Sequence, residues 1–194
     1  MRGGRDGGSG GGFDMARATS LRDVLRHATR ERHQALDEGL SPLANGSDYP
    51  AFLALQHSAR QPIEAWYASE PAILQPPPQV DLIAADLEEL GCQVPDAGQR
   101  FVPQDHGEAI GIAWVLAGSS LGNKMLLKRR NAFDQGRATR FLADPAMPAF
   151  WSSLRGRLER PAETETCELA VEGARRAFDH FLAVASRETL GLAA

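Results

Sequence analysis

The stretch from His106 to Asn131 constrains the fold most, because a helical apolar pattern there carries several glycines. The four glycines are Gly107, Gly111, Gly118 and Gly122. An internal glycine costs a helix about 0.5–1 kcal/mol relative to alanine, so the group needs a reason. At about 100° per residue they fall within roughly 60° of one another, as a groove along one helix face. The groove predicts close contact with the backbone, made either by a second helix or by a flat ligand near Gly118 and Gly122.

Length, charge and cysteine content limit the classes of protein to which the chain can belong. Its 194 residues suffice for one domain with a sizeable core, and the net charge of −4 argues against a dedicated nucleic-acid-binding protein. The two cysteines, Cys92 and Cys167, are far apart and lack CxxC spacing, so we expect neither a disulfide framework nor structural zinc. No apolar run reaches the length of a membrane span, and no secretory signal pattern opens the chain. We therefore expect a cytoplasmic protein that binds neither nucleic acid nor membrane.

The chain reads as one helical domain behind a glycine-rich opening. Residues 1–14 are expected to be a disordered leader, and residues 15–194 the domain. The first helix is capped by Ser20 and is expected to end at Gly39 or Pro42. Pro62 is expected to kink or divide the second helix, and Pro161 to open the last one. Later helices are predicted at about 48–70, 81–90, 106–131, 136–142, 147–160 and 161–188. Without strand alternation or an internal repeat, the predicted fold class is all-α.

His33 is a candidate metal ligand, because it lies at the edge of an apolar helix face whose side chains exclude water. Arg26 precedes it by about two turns, roughly 10 Å along the axis. The alternative is a structural or solvent-facing histidine beside a solvated arginine. Among the five histidines no tight metal-ligand spacing occurs, and His57 and His180 are interpreted as structural or surface residues. A histidine at an apolar edge and a glycine groove could together hold a flat, apolar, metal-containing disc with anionic groups, which describes heme.

Three segments resemble the heme oxygenase family in its bacterial, biliverdin-producing branch. Residues 21–53 are similar to the family's opening, with a Thr-x-x-x-His pattern at Thr29 and His33. Residues 114–127, WVLAGSSLGNKMLL, resemble the distal-helix signature, and residues 172–181, EGARRAFDHF, the last pocket helix. Their order and separation over residues 20–188 are more specific than any single motif. The resemblance implies a single-domain heme oxygenase-like helical bundle, with heme sandwiched between a proximal and a distal helix.

The resemblance also implies roles for individual residues. His33 would be the axial ligand of the heme iron, and Arg26 and Arg155 would bind the propionates. Gly118 and Gly122 would let the distal backbone approach bound oxygen. The expected heme-binding residues are Arg26, Thr29, His33, Arg155 and Phe178, and the expected catalytic residues are Gly118, Ser119, Gly122 and Asn123.

Two positions depart from the family pattern. Ser119 stands where the animal enzymes carry an aspartate that orders a proton-delivering water, which many bacterial members also lack. Asn123 stands where the family often has a second glycine, and its amide could bond a ligand or face solvent. The resemblance implies oxidation of heme by O₂ and electrons to biliverdin, CO and iron, with heme as both substrate and cofactor.

The electrons would come from an external reductant, ferredoxin or a reductase. Basic residues run from Lys124 to Arg140, and an acidic donor would be steered to them. The expected contact residues are Lys124, Lys128, Arg129 and Arg130. The alternative is that these cations only stabilise the helix C-terminus.

Other functions are open on the sequence alone. A heme or tetrapyrrole carrier on the same fold would bind without turnover, and Ser119 and Asn123 favour it. A histidine phosphotransfer module would use His33 beside Arg26 and requires that His33 be exposed. A thiamine-degrading enzyme of related fold is disfavoured, because no cysteine has a suitable carboxylate partner.

Overall fold

The structure, a computed structural model, describes residues 20–44, 49–96, 98–133 and 137–191, without the side chains at 40–44, 129–133 and 188–191. The predicted leader at residues 1–14 lies outside these ranges. Within them the chain forms eight α-helices and one 3₁₀ turn, with no strand, which confirms the all-α prediction. In chain order the helices are α1 (Leu21–Ala28), α2 (Arg30–Ala44), α3 (Tyr49–Ser69), α4 (Val80–Glu89), α5 (Ala109–Phe133, after the turn His106–Glu108), α6 (Arg140–Ala143), α7 (Ala146–Leu158) and α8 (Thr164–Gly191).

The first predicted helix is in fact two helices joined at Thr29. Ser20 caps α1 as expected, with its Oγ accepting from the Asp23 N–H at 3.2 Å. The buried Thr29 hydroxyl donates to the Leu25 carbonyl at 2.8 Å, and the same carbonyl also accepts from the Thr29 N–H at 3.1 Å. A side-chain bond of this kind often bends a helix. The predicted end at Gly39 or Pro42 is wrong, because α2 continues to residue 44. Packing of α2 against α3 and α8 outweighs the low helix propensity of those two residues.

The second helix is not divided by Pro62. The proline is buried inside α3, which runs unbroken from residue 49 to residue 69. His180 of α8 donates its Nε2–H to the Ala59 carbonyl at 3.0 Å, beside the position where Pro62 has no N–H to give. This contact from a neighbouring helix supports α3 at its weakest point, and it confirms the structural interpretation of His180.

The last helix begins at Thr164 and not at Pro161. Pro161 instead pairs with Ser20 in an isolated antiparallel bridge, and the Leu21 N–H donates to the Arg160 carbonyl at 3.2 Å. An extended backbone committed to this pairing cannot also form the first turn of a helix. The bridge ties the start of α1 to the segment that leads into α8. The predicted start of the short helix at residue 136 lies outside the described residues, and α6 begins at Arg140.

Half of the glycine groove on α5 receives a second helix. A Cβ built at Gly111 would lie 1.8 Å from the Ala170 carbonyl oxygen, and one at Gly107 would lie 2.6 Å from the Leu169 Cδ1. From the other side, a Cβ at Gly173 would lie 2.2 Å from the Glu108 carbonyl oxygen. Backbone therefore touches backbone where α5 and α8 cross, as the helix-packing interpretation of the groove predicts.

The central position of α5 also explains its composition. The segment His106–Lys128 is long and apolar enough to cross a bilayer by length and composition, with a mean hydropathy of 1.3, so the sequence expectation that no such run exists is wrong. Of its apolar window, 44% is buried in this fold, where α5 packs against α6, α7 and α8. Burial among helices accounts for the hydropathy without a membrane.

Two histidines, the buried His57 and the half-buried His180, give the fold a pH dependence. Burial lowers the pKa of His180, and burial also lowers that of His57, against a smaller opposing effect of Asp81. The unfolded chain would take up protons below about pH 6.5 that the folded chain resists, so the free energy of unfolding should fall as the pH drops below that value. We expect the melting temperature to decrease between pH 7 and pH 5. The variant His180→Gln keeps an N–H for the Ala59 carbonyl and cannot titrate, so its decrease should be shallower; an unchanged slope would contradict the assignment.

Candidate functional site

Three aromatic rings connect α2, α8 and α5. The His33 ring on α2 lies 5.8 Å from the Phe178 ring on α8, measured between centroids. The Phe178 ring lies 6.2 Å from the Trp114 ring on α5. Phe178 is only 3% exposed and forms the floor between the other two helices. Two residues predicted from the sequence, His33 and Phe178, are therefore neighbours, and the glycine-bearing helix is next to them.

His33 is held with one ring nitrogen available. Its Nδ1 lies 3.0 Å from Asp37 Oδ2 one turn later, so an Nδ1–H donates to the carboxylate, and in the neutral ring Nε2 then carries the free lone pair. A carboxylate behind a histidine orients the ring and raises its basicity as a metal ligand. The His33 side chain is 60% exposed, more than its apolar neighbours suggested. Asp37 was missed, although its i, i+4 spacing from His33 could have indicated it.

The second half of the glycine groove is open. A Cβ added at Gly118 or Gly122 would have no atom from elsewhere in the described chain within 4 Å. Leu121 and Met125 lie on the same face at about 100° per residue, and they are 55% and 65% exposed. Trp114 precedes Gly118 by one turn on this face. An exposed apolar surface around bare backbone suits a flat apolar ligand. The helix-packing interpretation therefore holds for one half of the groove, and the flat-ligand interpretation stays a prediction for the other half.

Ser119, at the border of this face, is bonded to a buried cation. Arg60 Nη2 of α3 donates to Ser119 Oγ at 2.8 Å, and Arg60 Nε donates to Gln56 Oε1 at 3.1 Å. The Arg60 side chain is fully buried, with its guanidinium carbon 5.2 Å from the centroid of the Phe141 ring. Burial lowers the pKa of Arg60 to about 10, so the group is still charged at neutral pH. No pattern in the sequence connects residues 60 and 119.

Asn123 lies apart from the other predicted catalytic residues. At about 100° per residue it points roughly 140° away from Gly118, and its side chain is buried. With Gln79, Ser120 and Asp144 it lines a cleft of about 310 Å³ between α5, α6 and α7. The expectation that Asn123 faces solvent is therefore wrong, because its side chain is buried on the face of α5 opposite the glycines. The expectation that its amide bonds a ligand stays a prediction.

The remaining predicted heme-binding residues are less directly placed. Thr29 directs its hydroxyl to the backbone of α1, and its carbonyl accepts from the His33 N–H at 2.9 Å. Arg26 is exposed in the last turn of α1. Arg155 of α7 is also exposed and pairs with Glu159 at 3.3 Å. Among the described residues, no group of three or more His, Cys, Asp or Glu could hold a metal ion, so a metal at His33 would depend on the single imidazole.

Comparison with known proteins finds a relative in sequence and a likeness in fold. No model of a protein family matches the chain. The heme oxygenase PigA of Pseudomonas aeruginosa is 31% identical over 171 residues, which cover 82% of this chain and 86% of the relative. The fold is similar to that of the NO- and CO-bound heme oxygenase from Neisseria meningitidis, with a TM-score of 0.69 and 22% identity over 88% of this chain and 92% of that one. The second likeness concerns the fold, whereas the first extends to the sequence over most of both chains.

Proposed function

Because the chain belongs to the heme oxygenase family, we propose that it binds heme between α2 and α5 and cleaves it to biliverdin, CO and iron. The observation that carries this location is the ring series from His33 through Phe178 to Trp114. It connects an available imidazole to the helix face that has bare backbone at Gly118 and Gly122. Bound heme supplies the iron at which O₂ reacts and is itself the substrate.

The residues present fit such a group. His33 offers Nε2 as axial ligand, with Asp37 fixing the ring from behind at 3.0 Å. The apolar surfaces of Phe178, Leu121 and Met125 match the faces of a porphyrin. The open backbone at the two glycines provides the space that a side chain would fill. Thr29 acts indirectly, by fixing the joint from which α2 and His33 start.

Propionate binding is proposed for Arg26 and Arg155 on the resemblance, supported by the exposure of both guanidinium groups. Arg155 would exchange its ion pair with Glu159, and an exposed i, i+4 pair of this kind contributes only about 0.3–0.5 kcal/mol. Ser119 would act as a hydrogen-bond donor on the distal side. A cytoplasmic location stays a prediction.

The first experiment is an optical titration of the protein with hemin, followed by a reductant in air. We expect a sharp Soret band that saturates at one equivalent and then decays to the spectrum of biliverdin. Stable heme without biliverdin would favour the carrier alternative, which Ser119 in place of a carboxylate supports. Absence of specific hemin binding would contradict the proposed site.

The exposure of His33 also meets the requirement of a phosphotransfer module, but membership of the heme oxygenase family favours the enzyme.

The electron donor is proposed to dock near Lys124 and Lys128, which are exposed on α5 beside Met125. The last two arginines of the predicted basic run, Arg137 and Arg140, already pair with acidic residues of this chain. Arg140 is bonded to Asp86 at 3.2 Å and also to Glu89, and Arg137 lies 3.9 Å from Glu89. Arg140 holds α6 against α4, because a buried carboxylate such as Asp86 needs a partner. The side chains of Arg129 and Arg130, also predicted contacts, lie outside the described residues.

The double variant Lys124→Gln, Lys128→Gln should weaken the docking of an acidic ferredoxin. We expect its KM for ferredoxin to rise roughly tenfold at low salt, and the difference to shrink as salt screens the charges. Turnover with ascorbate, a small reductant, should not change. The pair Arg22→Gln, Arg175→Gln removes the same charge from α1 and α8 and serves as control. An equal effect of both pairs would mean that net charge, and not this surface, matters.

A further inference from the structure

Arg60 is the buried cation that the proposed function does not use. Its side chain has 0% exposure, and Nη1 has no hydrogen-bond partner among the described residues. Its other nitrogens reach only neutral groups, Gln56 and Ser119. An arginine so placed is costly to the fold, since a buried charge is normally paired with an opposite one.

The carboxylates nearest to Arg60 are committed elsewhere. Glu64 and Asp144 are close enough to favour the charged guanidinium. Glu64, however, accepts from the backbone N–H groups of Gln79 and Val80 at 2.9 and 3.1 Å. Asp144 accepts from Gln79 Nε2 at 2.8 Å and from the backbone N–H of residue 146 at 2.9 Å. Within the part of the chain that the structure describes, the positive charge is therefore not neutralised by a contact ion pair.

The charge reaches the glycine face through one hydroxyl. Ser119 Oγ accepts from Arg60 and donates its own proton to the Leu116 carbonyl at 2.7 Å. In an α-helix that carbonyl also accepts from the backbone N–H of residue 120, so it keeps a hydrogen bond when the Ser119 hydroxyl turns away from it. Because the guanidinium holds one of its two lone pairs, the hydroxyl is oriented so that its proton can turn toward a new acceptor. Ser119 is exposed and directly follows Gly118, so an acceptor bound on this face can take its proton in a hydrogen bond.

We infer that Arg60 is a positioning residue that makes the distal side of this heme site selective for small anions. It fixes Ser119 as a donor and adds positive charge beside it. The inference rests on the proposed function, because the distal side exists only if heme binds at His33. An aspartate at position 119, which the family pattern gives for the animal enzymes and from which this chain departs, would have the opposite sign and would disfavour anions. At this position the chain thus has a hydroxyl bonded to a cation, where the animal pattern has an acidic group.

The test measures the affinity of the ferric heme-loaded protein for azide, an anion, and for imidazole, a neutral ligand. Arg60→Met removes the charge but keeps a side chain of similar length. Arg60→Lys keeps the charge but lacks the planar guanidinium with its several N–H donors. Ser119→Ala removes the hydroxyl that donates to the anion. We expect Arg60→Met to weaken azide binding roughly tenfold and Ser119→Ala a few-fold, with little change for imidazole. Arg60→Lys should recover part of the azide affinity. In the Arg60→Met background, Ser119→Ala should lower the azide affinity by a smaller factor than it does in the natural chain, because both residues act through one hydrogen bond.

Ser120→Ala is the matched control. Ser120 donates to the Ala117 carbonyl at 2.6 Å, as Ser119 does to Leu116, but it lines the cleft on the other side of α5. It should bind azide as the natural chain does. The inference is overturned if Arg60→Met and Ser119→Ala bind azide normally, or if azide and imidazole weaken together, which would indicate a merely structural role. Should Arg60→Met not fold, Ser119→Ala decides alone, since Ser119 is exposed. Failure of the natural chain to bind hemin would instead overturn the proposed function.

Discussion

Replacing His33 with alanine is expected to remove the axial ligand while leaving the fold intact. The His33 side chain is 60% exposed, so its loss should change the free energy of unfolding by less than about 0.5 kcal/mol. The Soret band of the hemin complex should shift and broaden, because no described side chain is placed to replace the imidazole. We expect the rate of biliverdin formation to fall on the order of 100-fold or more, since a 10–100-fold loss is already typical when only a partner behind a ligand is removed. Absorption spectra and single-turnover assays measure both effects.

Two controls separate ligation from general damage at this surface. Free imidazole should enter the space left in His33→Ala and restore much of the natural spectrum. His27→Ala removes another exposed histidine, from α1 on the other side of the Thr29 joint, and should behave as the natural chain does. If His33→Ala retained the natural spectrum and rate, the axial ligand would have to be a different residue.

Replacing Gly118 with leucine is expected to stabilise the ligand-free protein and abolish its activity. Its added side chain would meet no other part of the described chain within 4 Å of Cβ, and a helix gains about 0.5–1 kcal/mol when glycine is replaced by a better helix former. The same side chain would occupy the space proposed for the heme. Displacement of a substrate by about 1 Å can cost on the order of 100-fold in rate, so biliverdin formation should fall at least that far. Thermal unfolding and hemin titration of the same variant test the two effects together.

Gly111→Ala is the matched substitution, because it lies on the same stripe of the same helix. Its Cβ would lie 1.8 Å from the Ala170 carbonyl oxygen, so α5 and α8 would have to separate. We expect this variant to lose several kcal/mol of stability, as overpacked cores do, with loss of activity only as a consequence of unfolding. Higher stability for Gly111→Ala than for Gly118→Leu would show that the two halves of the groove had been assigned the wrong way round.

The opposite effects expected for Gly118→Leu and Gly111→Ala show what the sequence alone could not predict about the groove. Periodicity places four glycines on one face but does not say which neighbour faces each of them. The neighbour depends on where α8 crosses α5, and that crossing is set by Gly173, on another helix. The family resemblance located His33 and Phe178, which the fold brings to 5.8 Å of one another.

What the sequence could not predict depends on distant or competing interactions. Arg60 and Ser119 are 59 positions apart, and an arginine in an apolar helix carries no sign of its partner. Local preference at Pro62 and Pro42 predicted helix breaks that packing overrides. Thr29 is a different case, because the apolar pattern continues across it while its side chain bonds back to the Leu25 carbonyl at the end of α1.

The exposure of Leu121 and Met125 has a consequence for the ligand-free protein in solution. An exposed apolar patch on a long helix favours association, and two copies of the chain can bury their patches against one another when no ligand covers them. Heme bound at the proposed site would cover the patch. It would then compete with self-association as well as with unfolding, and by mass action it would raise the apparent stability of the monomer. The supply of substrate would then govern how much of the protein stays dispersed, and preparations made without hemin should aggregate sooner on storage than loaded ones.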